Sequence, residues 1–189
     1  MIANMGTARK LFRLFKSLME YKKIMALLKN STMEATEKYL NVICRLAFFF
    51  YWVFDNIQVL TKVKFFSFME LKTATRYAQK FWLSGIFLSI VIAVMNMQKT
   101  AKQELGLEQA YKQQQIEEKD YLQKKGMLQL AKVKNTLDVV KNCGDGITAS
   151  QGLGYPNRFF GFNFNEGVVG VGGFTSAFIS LKTVYATTK

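Results

Sequence analysis

Between Lys80 and Lys99 the chain carries eighteen consecutive uncharged residues, Phe81 to Gln98, and most of those from Leu83 to Met95 are apolar. As a helix rising about 1.5 Å per residue, this stretch reaches roughly 27 Å, just enough to cross the hydrocarbon core of a bilayer. Trp82 stands where an interfacial aromatic belongs. The spacing predicts a transmembrane helix over 81–98, and the rest of the chain has to be read around it.

Two other apolar segments meet this requirement less directly. Leu46 to Phe54 is an uncharged run of nine residues framed by Arg45 and Asp55, whereas a span takes about 17 to 25 residues. It reads as the centre of a helix running toward Lys64, either obliquely inserted in a membrane or buried in an ordinary protein core. Ser31 with Glu34 three residues on is a capping-box pattern that would open that helix. Asp55 and Asn56, set in an apolar neighbourhood, are expected to pair with Arg45 or to cap a neighbouring helix, because a buried carboxylate must be satisfied.

Near the other end, Gly172, Ser176 and Ser180 recur at i, i+4 and i+8, with Gly173 and Ala177 as an adjacent pair. Small residues at every fourth position form a flat groove on a helix, against which a second helix can approach closely in lipid. With Lys182 able to extend to the headgroups, Val168 to Tyr185 is a second spanning candidate.

The opening of the chain has a different character. On a helical wheel of Arg9 to Lys29, Leu11, Phe12, Leu14, Phe15, Leu18, Met19, Tyr21 and Met25 fill one half. Arg9, Lys10, Arg13, Lys16, Ser17, Glu20 and Lys23 fill the other. Such a helix is suited to lying in the headgroup layer of an anionic membrane. Arg9, Lys10, Arg13 and Lys16 would hold headgroups, while Phe12, Phe15 and Leu18 insert among acyl chains. The segment also has the look of a mitochondrial presequence, and Arg13 and Lys16 interrupt any secretory-signal core.

Charge and residue usage narrow the function. The net charge is +13, with 14 Lys/Arg against five acids in residues 1–80 and ten against eight in residues 99–166. By the positive-inside rule this asymmetry puts the beginning of the chain on the cytosolic side, or on the matrix side in a mitochondrion, and two spans would return the end to that side. Cations interleaved with Phe, Leu and Met at helical spacing favour an acidic membrane surface over nucleic acid. The chain has no histidine and only two cysteines, Cys44 and Cys143. No metal site, no cofactor and no catalytic constellation is expected, and the cysteines read as small buried hydrophobes.

Thr100 to Asn142 is rich in Lys, Gln and Glu and carries Met127, Leu130, Val133, Leu137 and Val140 at helical spacing. It reads as a long polar or membrane-skimming helix, with Gly106 and Gly126 as possible breaks. Cys143-Gly-Asp-Gly through Tyr155-Pro-Asn reads as a loop. The expected fold is all-α, a membrane protein with N-terminal amphipathic helices, one or two transmembrane helices and a long polar helix between them. Its segments are 1–30, 31–80, 81–98, 99–166 and 167–189.

Three stretches carry a resemblance to a known family. They are Arg9-Lys-Leu-Phe-Arg-Leu-Phe-Lys-Ser-Leu18, the aromatic segment ending Phe54-Asp55-Asn56 and followed by Leu60-Thr-Lys62, and the Gly-rich close ending Phe174-Thr-Ser-Ala-Phe-Ile-Ser-Leu181. In these, and in the order of its elements, the chain resembles the peroxisomal biogenesis factor eleven family of membrane-shaping proteins. The resemblance implies a peroxisomal membrane protein that promotes elongation and division by inserting its amphipathic region into one leaflet. It also implies self-association through membrane helices, with an anionic lipid surface and copies of the chain as partners. The chain departs from the family in its length and its Lys/Gln/Glu-rich centre. The alternative is a structural accessory subunit of a host membrane complex, such as one in the mitochondrial inner membrane, that keeps this fold.

Overall fold

The computed structural model describes residues 13–65 and 69–187. They form six helices: α1 (Lys16–Lys29), α2 (Ala35–Lys62), α3 (Leu71–Lys112), α4 (Glu118–Gly152), α5 (Tyr155–Phe160) and α6 (Glu166–Thr187). The all-α membrane class is the one observed. α2, α3 and α6 are each long and apolar enough to cross a bilayer, and most of each apolar window lies on the surface of the molecule. That adds α2 to the two candidates read from the sequence. Its uncharged centre is short only if Arg45 and Asp55 end the span, and Asp55, 3% exposed, is instead buried inside the protein.

The helices are arranged as an open row, α1–α2–α3–α4–α6, in which each packs on the next. The directions alternate. Lys99 Nζ reaches Glu37 Oε2 at 3.0 Å near one end of the α2–α3 pair, and Phe54 stacks on Tyr77 and Phe81 near the other. α3 and α4 run antiparallel from the Tyr111–Tyr121 stack, through the Lys132–Glu104 ion pair, to Gly152 against Gln79.

α3 is one unbroken helix through both ends of the 81–98 segment. Its polar continuation to Lys112 and the first half of α4 form an arm beyond the apolar layer. Gly106 and Gly126 break neither helix; the chain turns at 113–117, where Gln114 takes a left-handed φ of 57°.

The stretch from Cys143 expected as a loop is helix as far as Gly152, and Tyr155–Phe160 adds a short helical turn. Its glycines serve close approach. A Cβ on Gly144 would stand 2.5 Å from the carbonyl oxygen of Gly172, and one on Gly172 would stand 2.9 Å from that of Gly144. The backbones of α4 and α6 therefore touch at this point. Gly85 makes room in the same way for the Phe48 ring, at 3.0 Å from a built Cβ. Beside it Cys44 is buried as expected, its thiol 3.6 Å from the Gly85 carbonyl, while Cys143 is exposed.

The Ser31–Glu34 capping box does not form. α2 begins at Ala35, and its preceding residue, Glu34, makes no side-chain cap. Asn30 instead folds the connection on itself by accepting from the Thr32 amide and hydroxyl. Lys38 reaches back from α2 to donate to the carbonyls of Leu28 and Asn30, satisfying the C-terminal end of α1.

These contacts separate two kinds of glycine. Gly144→Val should destabilise the protein by about 1–3 kcal/mol, because the new side chain forces α4 from α6. Gly106→Ala, in a helix with nothing within 4 Å of the new atom, should stabilise it by about 0.5–1 kcal/mol. Thermal unfolding in detergent followed by circular dichroism checks both signs.

Candidate membrane-contact site

α1 is seated in an unexpected orientation. Among the described residues the helix begins at Lys16, after a turn at 13–15 in which Phe15 adopts a left-handed φ of 66°. Arg9, Lys10 and Phe12 lie outside the described residues. The side turned inward carries Ser17, Glu20 and Ile24, all buried. Ser17 and Glu20 belong to the polar half of the wheel, so the helix rests on α2 partly through its polar side. The apolar residues Leu18, Met19, Tyr21, Met25 and Leu28 are left exposed, Leu18 to 56% and Phe15, before the helix, to 67%.

The seat is ionic and aromatic. Glu20 accepts a 2.6 Å hydrogen bond from Lys23 on its own helix and faces Arg45 of α2, Nη1 to Oε2 3.5 Å. Arg45 is thereby engaged by Glu20. Asp55, the expected partner, sits ten residues further along α2, roughly 15 Å away at helical rise, and Asn56 beside it is half-buried. Lys16 Nζ lies 4.8 Å above the Trp52 ring and the Arg13 guanidinium 6.0 Å from it. Partial burial, with Arg13 and Lys23 nearby, pulls the Lys16 pKa below the usual lysine value, and Glu20 opposes the shift. Arg13 and Lys16, expected at headgroups, are thus drawn toward an aromatic face of the protein.

The exposed side of α1 is an apolar ridge. Leu28, Tyr21, Met25 and Leu18 fall within an 80° arc at 100° per residue, and Lys29 and Lys22 lie just beyond Leu18. A soluble helix buries such an arc; here it points away from the protein with cations along its edge. α2 continues the pattern with Tyr39, Ile43, Leu46 and Phe50 exposed in one stripe. That inversion was legible only in part, since the wheel shows two faces but not which one meets protein.

The small-residue stripe is divided. Gly172 and Ser176 are buried, with Gly172 against Gly144 of α4, whereas Gly173 and Ser180 are half-buried and Ala177 is exposed. The Ser180 hydroxyl donates to the Ser176 carbonyl at 2.8 Å. The outer side of α6 carries Val171, Phe174, Phe178 and Leu181, all exposed, with the Phe174 and Phe178 rings stacked.

A family model described as "Peroxisomal biogenesis factor 11 (PEX11)" matches residues 1–185. The chain is 30% identical over 191 residues to the "Peroxisomal membrane protein 11 homolog" of Dictyostelium discoideum, covering 92% of this chain and 72% of that protein. No solved structure matches.

The Glu20–Arg45 contact can be tested directly. Glu20→Gln and Arg45→Gln should each loosen α1 by about 1 kcal/mol, raising its amide exchange roughly fivefold. The double variant should exchange no faster than either single one. Exchange in α3 and α4, read by mass spectrometry in the same experiment, should stay unchanged.

Proposed function

Because this chain belongs to the peroxisomal biogenesis factor 11 family, and so is a protein of the peroxisomal membrane, we propose that it elongates peroxisomes and prepares them for division by wedging α1 into one leaflet and associating with further copies of itself. The observation that carries this reading is the apolar ridge of α1, turned outward while Ser17 and Glu20 turn in. Leu18, Tyr21, Met25 and Leu28 meet acyl chains, and Lys29, at the end of the helix, reaches anionic headgroups. A helix inserted to this depth widens one leaflet relative to the other, and the membrane relaxes by curving. The partner is the lipid surface, and the action is mechanical rather than catalytic.

Association between copies falls to the outer side of α6. Gly172 and Ser176 are occupied by α4 of the same chain, which leaves Ala177 with Phe174 and Phe178 facing outward. Ala177 gives a neighbouring helix room to approach, and the phenylalanines supply packing area. The family supports the peroxisomal membrane over the mitochondrial inner membrane of the alternative reading.

Full-length protein reconstituted on anionic vesicles should draw tubules visible by electron microscopy. Leu18→Glu with Met25→Glu should abolish tubulation while the protein stays membrane-integral through α2, α3 and α6. Tubules from that variant equal in number to the parent's would refute the wedge.

A further inference from the structure

On one side of the row of helices lies a half-open cavity of about 420 Å³, lined from α1, α2, α3 and α4. Ser89 and Ala93, near the middle of the uncharged 81–98 stretch, are among its walls, so it sits at the depth of the apolar layer. Yet it holds four charged side chains, Glu20, Arg45, Asp138 and Lys141. Charges at that depth are costly and are kept facing an interior or a water-filled space, where they mark a function.

Several of these polar groups have hydrogen-bonding capacity to spare. Glu20 Oε2, on a side chain 9% exposed, accepts no hydrogen bond and lies 3.5 Å from Arg45, while the other oxygen of the carboxylate takes Lys23. Asn142, 6% exposed, makes no side-chain hydrogen bond among the described residues, and Asp138 makes no ion pair there. Lys141 is held by Asp145 at 3.3 Å, one turn further along α4. The walls thus present two anions, two cations and unengaged amides around one space, arranged without net charge.

We propose that this cavity binds a small zwitterionic group, an ammonium and a phosphate on one short frame, as in phosphoethanolamine, free or as a lipid headgroup. A single ion would bring net charge into a cavity whose lining is balanced, whereas a zwitterion brings none and meets both signs. The planar guanidinium of Arg45 and the amide of Asn142 suit phosphate oxygens. Glu20 Oε2 and Asp138 suit an ammonium that has N–H to donate. A quaternary ammonium has no N–H to give these carboxylates, so the site selects ethanolamine over choline.

The test uses the full chain in non-ionic detergent, titrated calorimetrically with phosphoethanolamine and with phosphocholine. The same protein in nanodiscs of mixed phosphatidylethanolamine and phosphatidylcholine is then examined by native mass spectrometry for retained lipid. Saturable binding of phosphoethanolamine, or retention of the ethanolamine lipid, is expected, with the choline counterpart weaker by about tenfold or more. Binding of the free compound without lipid retention assigns the site to a soluble zwitterion; retention without free binding assigns it to the headgroup. Asp138→Asn should weaken binding about tenfold with no loss of thermal stability, because an ion with no partner is removed. Lys134→Gln, an exposed charge change on the same helix, should change neither. Binding of neither ligand, equal binding of ethanolamine and choline forms, or an Asp138→Asn variant that binds like the parent would overturn the proposal. Since the ridge of α1 is untouched, tubulation by Asp138→Asn keeps this outcome separate from that of the wedge.

Discussion

Inside a bilayer, two helices gain little by hiding leucine and phenylalanine from their surroundings, because acyl chains solvate those side chains about as well as a neighbour does. What holds helices together there is contact at very short range, and the whole row in this protein depends on it. Gly144 and Gly172 bring the backbones of α4 and α6 together, and Gly85 lets Phe48 of α2 settle on α3. Gly152 admits the Gln79 side chain between α3 and α4. Around these points the aromatic stacks of Phe54 with Tyr77 and Phe81, and of Tyr51 with Trp82, add area that the close approach makes reachable.

The second organising force is the disposal of charge. Arg45 would end the apolar stretch of α2 if it faced lipid. It faces Glu20 instead, and that contact fixes how α1 lies. The orientation of the amphipathic helix thus follows from the requirement of one cation on its neighbour. Once Glu20 turns inward, the ridge from Leu18 to Leu28 has nowhere to go but outward. Lys38 does similar work at the other end of α1, closing its last carbonyls from α2.

Much of this is written locally in the chain, and some of it cannot be. The helix through Phe81–Gln98 and the helical nature of Gly167–Tyr185 follow from length and composition, which act on each segment alone. Cys143 to Gly152 reads as loop because glycine raises the prior for a turn, and only the presence of Gly172 opposite shows that close packing is the reason instead. The extent of α2 is hidden for a related reason: Arg45 and Asp55 look like the ends of a span until Glu20 and the protein interior are placed around them. The cavity formed by Asp138, Lys141 and Asn142 with Glu20 and Arg45 brings together residues more than a hundred positions apart. Nothing in local periodicity foreshadows it.

The row also has ends. Among the described residues each helix of the row packs only on its neighbours in the line, apart from the short α5 on α4, with α1 at one edge and α6 at the other. Cooperativity in such an arrangement is one-dimensional, as in a repeat array: the stability of each member is set by its one or two adjoining contacts, and a defect propagates only as far as the next helix. An edge helix can therefore lift away and return while the α2–α3–α4 centre stays folded. The protein can deform with the surface it lies in, yielding at its margins while keeping its middle.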